Sequence, residues 1–141
     1  RITGLLAVEL FLDKSGKLLI NEVAPRPHNS GHHTIESCPV SQFEQHLRAI
    51  LNWPLGETAL KVPAAAMINV LGAAEALGET HYEGLEAVMQ VPGTSVHLYG
   101  KSTVKPYRKM GHITLTASDL ETVIAHARSI EGKLKAVSKK S

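Results

Sequence analysis

Residues 4–23, GLLAVELFLDKSGKLLINEV, decide how the first part of the chain folds. Two runs of apolar, β-compatible residues flank the segment Asp13-Lys14-Ser15-Gly16, whose residue types are typical of turns. The pattern predicts a β-hairpin in which each strand carries one glutamate, Glu9 in the first and Glu22 in the second. The register of the hairpin then decides whether the two carboxylates meet.

The relation between the two glutamates depends on the turn, because side chains alternate between the two faces of a strand. If Asp13 pairs with Gly16, Glu9 and Glu22 lie diagonally on one face, at the roughly 7–8 Å expected for such neighbours. If Asp13 pairs with Leu18 instead, the two glutamates face each other directly. A three-residue loop would place them on opposite faces of the hairpin.

Two neighbouring carboxylates on an apolar hairpin favour a divalent cation. Without one they would repel each other, and burying either of them unpaired would cost several kcal/mol. Carboxylate oxygens suit Mg²⁺, so Glu9 and Glu22 are candidate metal ligands. Asn21 lies on the other face of its strand unless a bulge intervenes. The alternative interpretation is that both glutamates simply occupy the solvated side of an antiparallel sheet.

The next residues, APRPHNSGHHT at 24–34, predict a loop with an unusual density of polar side chains. Zinc fits poorly, because the histidines lie in a segment broken by Pro and Gly, and no cysteine pair accompanies them. An anion such as bicarbonate or an acyl phosphate fits better, since Arg26 offers a planar fork while His28 and Asn29 add hydrogen bonds. The alternative is a structured loop that caps the neighbouring helix. His32 and His33 receive no role.

The whole pattern predicts an α+β chain in two parts. Residues 1–56 contain the hairpin, the loop and a helix over 40–51, with Ser41 as N-cap and Glu44 completing a capping box. Residues 57–141 form a smaller, β-rich lobe. Its predicted elements are a strand over 64–72, a short helix over 81–90 with Tyr82, Leu85, Val88 and Met89 inward, strands 95–99 and 112–116 joined by the basic loop GKSTVKPYRKMG, and a helix over 119–130 capped by Ser118 with Leu120, Val123, Ile124 and Ala127 on one face.

Composition narrows the classes of function. The 141 residues include 15 Lys and Arg against 13 Asp and Glu, and the formal charge of +2 is too balanced to indicate nucleic-acid or membrane-surface binding. The single cysteine, Cys38, excludes an intrachain disulfide, and no apolar run approaches the ~20 residues that span a bilayer. A cytoplasmic protein is expected. Because a strand pattern follows Arg1 almost at once, the chain is also expected to be a fragment of a longer protein.

The quoted motifs resemble one family over nearly the whole chain. VELFL and LLINEVAPRPHNSGHHTIESCPVSQFEQHLRAIL, then AAAMINVLG and HLYGKSTVKPYRKMGHITL, are similar to the N5-carboxyaminoimidazole ribonucleotide synthases of purine biosynthesis, which are ATP-grasp enzymes. The resemblance implies the carboxyl-terminal part of an ATP-grasp domain followed by a small carboxyl-terminal lobe. It also implies a ligase reaction. MgATP activates bicarbonate as carboxyphosphate, which carboxylates the amine of 5-aminoimidazole ribonucleotide to give N5-carboxyaminoimidazole ribonucleotide, ADP and phosphate.

The resemblance also implies roles for particular residues. Glu9 and Glu22 match the acids that bind Mg²⁺, and Asn21 with Glu22 matches a pair that contacts ATP. Arg26, His28 and Asn29 match the loop that handles bicarbonate or carboxyphosphate and the incoming amine. The basic residues that would hold the phosphate of the ribonucleotide are Lys101, Arg108 and Lys109.

Two rival interpretations stay open at this point. One is another ATP-grasp carboxylase or a formate-using purine ligase, which the APRPHNSGHHT loop and the segment YRKMGH disfavour. The other is a non-catalytic assembly lobe, which intact Glu9, Glu22, Arg26 and Lys101 disfavour. The family's amino-terminal domain and the lysines that cover the ATP phosphates have no counterpart in the sequence, so the chain alone is expected to be inactive. The full-length parent is expected to be a homodimer that binds small molecules, with no nucleic-acid or membrane partner.

Overall fold

A computed structural model of the chain describes residues 2–139 and divides into two units. The first unit is Arg1–Leu60 and the second is Lys61–Ser141. The division falls slightly after the boundary between residues 56 and 57 that the sequence pattern suggested. No helix in the described part of the chain combines the length and apolarity needed to cross a membrane.

The first unit begins with the predicted hairpin, formed by β1 (Ala7–Leu12) and β2 (Leu18–Ala24). The amide of Asp13 donates to the carbonyl oxygen of Lys17 at 3.0 Å, which closes a three-residue loop. The Asp13 carboxylate accepts from the Ser15 hydroxyl at 2.6 Å and from the amides of Lys17 at 2.9 Å and Ser15 at 2.8 Å, and these bonds, the hydroxyl first, lower the pKa of its carboxyl. Next to the turn, Leu12 pairs with Leu18. Asp13 therefore pairs neither with Gly16 nor with Leu18, the two registers that would place Glu9 and Glu22 on one face without a bulge.

A β-bulge nevertheless brings the two glutamates opposite each other. Leu10 pairs with Ile20, but the next pair along the ladder is Glu9 with Glu22, so Asn21 is the extra residue of the bulge. Without the bulge, the register set by the three-residue loop would place Glu9 opposite Asn21 and turn Glu22 to the other face. Glu9 and Glu22 are therefore neighbours, as the sequence pattern allowed, but they are brought together by a bulge and not by the length of the turn.

The loop after the hairpin contains more regular structure than the sequence indicated. One turn of 3-10 helix covers Asn29–Gly31, and one turn of α-helix, α1, covers Thr34–Ser37. The longer helix α2 (Gln42–Ile50) follows, and the Ser41 side chain accepts a hydrogen bond from the Glu44 amide at 3.3 Å, as predicted for its N-cap. The amide of Leu5 donates to Nδ1 of His46 at 3.1 Å, which ties the segment before β1 to this helix.

The second unit is built on an antiparallel sheet of three strands, β3 (Ala64–Leu71), β7 (Lys109–Ala117) and β5 (Thr94–Leu98), which lie side by side in that order. The pairing of Ser95 with Thr114 confirms the predicted partnership of the last two. A second sheet has the order β6-β4-β8, formed by β6 (Thr103–Val104), β4 (Gly78–Glu83) and β8 (Lys135–Ser138). Helix α4 (Leu120–Ile130) packs on β3 and β7, and the core between them contains Val70, Ile113, Leu115, Val123 and Ile130.

The predicted helix over 81–90 is only partly correct. His81 and Tyr82 belong to β4, and the helix α3 is limited to Leu85–Met89. Gly84 separates the two elements with φ at 85°, a left-handed conformation that glycine adopts without strain. Val88 is fully buried as predicted, but Met89 is 65% exposed.

The last predicted helix has the expected extent but a different N-cap. Asp119, not Ser118, caps α4: its side chain accepts from the Thr122 amide at 2.7 Å, while the Ser118 hydroxyl donates to the Asp119 carboxylate at 2.9 Å. Among the residues predicted to face inward, Val123 is buried, but Leu120 is 66% exposed and Ile124 is 39% exposed.

Replacing the cap distinguishes the two candidate residues. Asp119→Ala should lower the midpoint of thermal unfolding by several degrees near neutral pH, because the amide of Thr122 loses its acceptor. Ser118→Ala, the matched control, removes only a donor to the capping carboxylate and should change the midpoint much less. Equal effects of the two substitutions would contradict the assignment of the cap.

The effect of Asp119→Ala should also depend on pH. Hydrogen bonds from the Thr122 amide and then the Thr122 hydroxyl lower the pKa of the Asp119 carboxyl below its ordinary value of 3.8. A group whose pKa is lowered by folding stabilises the fold above its unfolded pKa, and this stabilisation is lost as the pH falls through the folded-state pKa. The difference between wild type and variant should therefore shrink as the pH is lowered through this range, measured by circular dichroism at each pH.

Candidate functional site

The bulged end of the hairpin gathers two carboxylates and an imidazole. Nε2 of His28 lies 2.9 Å from Oε1 of Glu22 and 3.7 Å from Oε2 of Glu9. The His28 side chain is only 12% exposed, whereas the Glu9 and Glu22 side chains are 41% and 52% exposed. The carboxylates thus remain open to a ligand on one side while the imidazole contacts them from the more buried side.

Asn21 joins this cluster because it is the bulged residue. Its Nδ2 donates to Oε1 of Glu9 at 2.6 Å, although regular alternation would have turned it to the opposite face. The amide carries no charge, so it orients the Glu9 carboxylate without neutralising it. The bulge therefore places the Asn21 side chain beside Glu9, within the candidate site.

The arrangement of Glu9, Glu22 and His28 fits a divalent cation. One ligand atom from each of the three residues lies within 4.8 Å of the other two. Two adjacent carboxylates repel each other, and a cation between them would remove this repulsion while their exposure leaves room for water or phosphate oxygens. The donor set is mainly oxygen, which suits Mg²⁺ better than a thiolate-preferring metal.

The position of His28 is fixed by Gln42, a residue that the sequence pattern did not single out. Oε1 of Gln42 accepts from the His28 amide at 2.9 Å, and its Nε2 donates to the His28 carbonyl oxygen at 2.8 Å. The side chain of one residue of α2 thus holds both backbone groups of one loop residue. Only the position of Gln42 in the first turn of a predicted helix, close to the loop in sequence, pointed toward such a role.

The two histidines without a predicted role have structural contacts. Nδ1 of His32 lies 2.9 Å from Nε2 of Gln42, and its ring stacks on Phe43 with 5.5 Å between ring centroids. Nδ1 of His33 lies 2.7 Å from the hydroxyl of Ser37. Both side chains therefore help to hold the loop against helices α1 and α2.

The other two predicted anion-loop residues, Arg26 and Asn29, have contacts within the loop. Arg26 is exposed, and its Nη1 donates to the carbonyl oxygen of Pro27 at 3.0 Å. Asn29 begins the 3-10 turn, where its carbonyl oxygen accepts from the His32 amide at 3.1 Å. His28, for which the sequence predicted a role beside an anion, contacts Glu22 directly.

The basic loop of the second unit is fastened to the end of β3. The amide of Tyr107 donates to the carbonyl oxygen of Gly72 at 2.9 Å, and the amide of Gly72 donates to that of Arg108 at 2.8 Å. A Cβ at Gly72 would collide with the carbonyl oxygen of Lys105, so a glycine is required where the loop lies against the strand end. The backbone beside the predicted phosphate-binding residues is therefore fixed.

The basic side chains of this loop are held by backbone carbonyl groups. Nζ of Lys101 donates to the carbonyl oxygen of Lys109 at 2.5 Å, and Nη1 of Arg108 donates to that of Thr103 at 2.9 Å. Burial, and then the nearby Arg108 guanidinium, lower the pKa of the Lys101 ammonium. Residues 100–111 include no Asp or Glu, so the loop concentrates positive charge and fits an anion.

Comparison with known families divides the chain in the same order as the structure. The model described as an ATP-grasp domain matches residues 1–43. The model described as the phosphoribosylaminoimidazole carboxylase C-terminal domain matches residues 65–126. The first covers the hairpin and the anion loop, and the second covers most of the sheet and the basic loop.

Individual relatives agree with these matches. The chloroplastic phosphoribosylaminoimidazole carboxylase of Vigna aconitifolia is 51% identical over 137 residues, which is 94% of this chain and 24% of that protein. The N5-carboxyaminoimidazole ribonucleotide synthase of Mycobacterium tuberculosis is 49% identical over 127 residues, 89% of this chain and 29% of that protein. The chain thus spans about a quarter of the length of these curated relatives, and the cytoplasmic location expected from the sequence is not general among them.

Solved structures give the same result. The crystal structure of N5-carboxyaminoimidazole ribonucleotide synthetase from Thermotoga maritima matches with a TM-score of 0.92 at 50% identity, covering 97% of this chain and 38% of that one. The enzyme of Aspergillus clavatus, solved with ADP and 5-aminoimidazole ribonucleotide, matches with a TM-score of 0.80 at 38% identity, covering 91% of this chain and 34% of that one.

The fold and the matched domains define the chain as the end of an ATP-grasp domain followed by a carboxyl-terminal lobe. This architecture confirms the α+β class expected from the sequence. Within the ATP-grasp class, the chain belongs to the N5-carboxyaminoimidazole ribonucleotide synthase family.

A second glutamine on α2 makes the same pair of hydrogen bonds to a loop residue as Gln42 makes to His28. The side chain of Gln45 accepts from the Gly56 amide at 3.0 Å and donates to the Gly56 carbonyl oxygen at 2.7 Å. Gln42→Ala should speed amide hydrogen exchange at His28 roughly fivefold to tenfold and leave Gly56 unchanged, because one hydrogen bond contributes about 1 kcal/mol. Gln45→Ala should do the reverse. Exchange that rises at both amides in either variant would show general loosening instead of a local hold.

Proposed function

We propose that the chain is part of an ATP-dependent ligase that carboxylates 5-aminoimidazole ribonucleotide with bicarbonate. The products would be N5-carboxyaminoimidazole ribonucleotide, ADP and phosphate. The observation that carries the proposal is the cluster of Glu9, Glu22, Asn21 and His28 at the bulged end of the hairpin, in a chain about 50% identical to enzymes named for this product. The activity is proposed for the polypeptide that carries this segment, since the chain spans only part of each relative.

In this proposal the hairpin provides the metal and nucleotide site. Glu9 and Glu22 would hold Mg²⁺ through carboxylate oxygens, and Asn21 keeps the Glu9 carboxylate oriented through its 2.6 Å hydrogen bond. When bound, the ion would offset the charge of the ATP phosphates during phosphoryl transfer. Asn21 and Glu22 would also contact ATP, as the resemblance implied. The pre-existing orientation of the carboxylates limits the rearrangement needed when the nucleotide binds.

The loop that follows would serve the second substrate. Arg26 is exposed and its guanidinium can turn from the Pro27 carbonyl group toward an anion, for which its planar fork is suited. Asn29 would add a neutral hydrogen bond. His28 would position the carboxylates on one side and lie beside bicarbonate or carboxyphosphate on the other. The grip of Gln42 keeps this part of the loop in place.

The basic loop of the second unit would bind the phosphate of the ribonucleotide. Lys101 and Arg108 are held by carbonyl groups that restrict their positions but leave their positive charge intact, and Lys109 adds a further charge. A phosphate monoester carries close to two negative charges at neutral pH, so several cations in one loop match it well.

We also keep the prediction that the full-length enzyme containing this segment is a homodimer.

The metal site is tested by Glu22→Gln in an active full-length polypeptide containing this segment. Removing one negative ligand should lower the rate of ADP formation with bicarbonate and the ribonucleotide by roughly a hundredfold or more. The rate should also require a higher Mg²⁺ concentration. Glu44→Gln, which alters an exposed glutamate paired with Arg48, is the matched control and should keep the wild-type rate. An unchanged Mg²⁺ dependence in Glu22→Gln would remove Glu22 from the site.

The phosphate site is tested by Lys101→Ala in the same polypeptide. The KM for the ribonucleotide should rise at least about tenfold while the KM for ATP stays close to wild type, because a charge-assisted hydrogen bond to phosphate is lost. Lys105→Ala removes an exposed charge from the same loop and should have a much smaller effect. An effect on the KM for ATP alone would contradict the assignment of Lys101. Product analysis with bicarbonate or formate separates this reaction from that of a formate-using ligase.

A further inference from the structure

We propose that Tyr99 is a positioning residue that holds the Lys101 ammonium ready for a phosphate monoester. Lys101 lies two residues after Tyr99, and its Nζ is 5.3 Å from the centroid of the Tyr99 ring. A cation this close to an aromatic face is attracted by the negative charge density of the ring. The inference rests on the proposed role of Lys101 in binding phosphate.

The Tyr99 ring is itself fixed from the sheet. The Tyr99 amide donates to the carbonyl oxygen of Met110 at 3.0 Å, which continues the pairing of β5 with β7 by one residue. Its hydroxyl lies 3.0 Å from Nδ1 of His112, a residue that is 2% exposed. His112 stacks on His97, with ring centroids 4.4 Å apart. A chain of contacts from the sheet therefore fixes the ring on which Lys101 rests.

Lys101 has two supports that together determine where its ammonium lies. The Lys109 carbonyl oxygen accepts one hydrogen bond from Nζ, and the Tyr99 ring lies beside the same atom. A lysine side chain has four rotatable bonds and loses about 2 kcal/mol of rotamer entropy when it is immobilised. Supports that immobilise it before a ligand arrives reduce the entropy lost on binding.

The chemistry of these supports leaves the charge of Lys101 available. A carboxylate partner would hold the ammonium more strongly but would neutralise it, and a phosphate would then have to displace that partner. An aromatic face and a carbonyl oxygen are both uncharged. The like charge of Arg108 would otherwise push the flexible ammonium away, as its contribution to the lowered pKa of Lys101 indicates. Two neutral supports thus oppose repulsion within an anion site without competing with the anion.

The test uses the 141-residue chain and ribose 5-phosphate as the probe, with binding followed by NMR titration. Tyr99→Leu should weaken binding roughly twofold to fivefold, the range expected for a cation–π contact near the surface. Tyr99→Phe keeps the ring and should stay within about twofold of wild type. Lys101→Ala should weaken binding more strongly, by roughly tenfold. Adding Tyr99→Leu to Lys101→Ala should cause no further loss, because the two residues then act through one contact.

The outcomes separate this inference from the function on which it rests. If Lys101→Ala binds the probe as well as wild type does, or if wild type does not bind it, the phosphate site fails and the inference fails with it. If Lys101→Ala weakens binding but Tyr99→Leu does not, only the positioning role is wrong. A further loss when the two substitutions are combined would also overturn it, because Tyr99 would then act independently of Lys101.

A measurement on the unaltered chain keeps the inference testable even if Tyr99→Leu fails to fold. Protons close to the face of an aromatic ring are shifted upfield by its ring current. The Hε protons of Lys101 should show such a shift in wild type and in Tyr99→Phe, whereas Lys105, which has no such contact described, should show ordinary values. Ordinary Lys101 shifts in the wild-type chain would overturn the proposal.

Discussion

The β-bulge at Asn21 is the constraint on which the first unit depends. The three-residue loop sets a register that would separate Glu9 from Glu22, and the single extra residue reverses this. Because strand side chains alternate with a period of two, one inserted residue moves everything beyond it to the other face. The same event turns Asn21 toward Glu9, and it leaves β2 leading into the loop that returns His28 to both carboxylates. The bulge thus brings the two carboxylates together and adds the Asn21 amide to the cluster as a hydrogen-bond donor.

Each unit places like charges close together and restrains them mainly with neutral groups. In the first unit, the Asn21 amide orients Glu9. In the second, the Lys109 carbonyl group and the Tyr99 ring hold Lys101 near Arg108. Neutral restraint costs less in ligand affinity than an ion pair would, because the charge is not already satisfied when the ligand arrives. The ordering energy comes from folding instead, through contacts with rigid strands and with the turn beside them.

The sequence predicted the element types well where periodicity and turn residues agreed, as in the hairpin, α2 and β3. The prediction failed where one residue pattern is compatible with both a helix and a strand. His81 and Tyr82 resemble the start of a helix, but pairing of β4 with β8 makes them part of a strand. The neighbours Glu9 and Glu22 were predicted correctly, yet the bulge that joins them has no signal in residue type alone. Gln42 was missed because its role depends on a contact across 14 residues of chain, which local patterns do not encode.

The two units differ in how much of their apolar surface they bury, and this affects where each part of the chemistry can be studied. The hairpin leaves apolar side chains exposed on both faces, Leu12 on one and Phe11 on the other, and a two-stranded hairpin alone is only marginally stable in water. The second unit encloses Met110, Ile113 and Leu115 completely or nearly so. The carboxylate cluster therefore lies on the less protected element. The basic loop rests on a sheet with its own core, so its affinity for a phosphate can be measured on this chain.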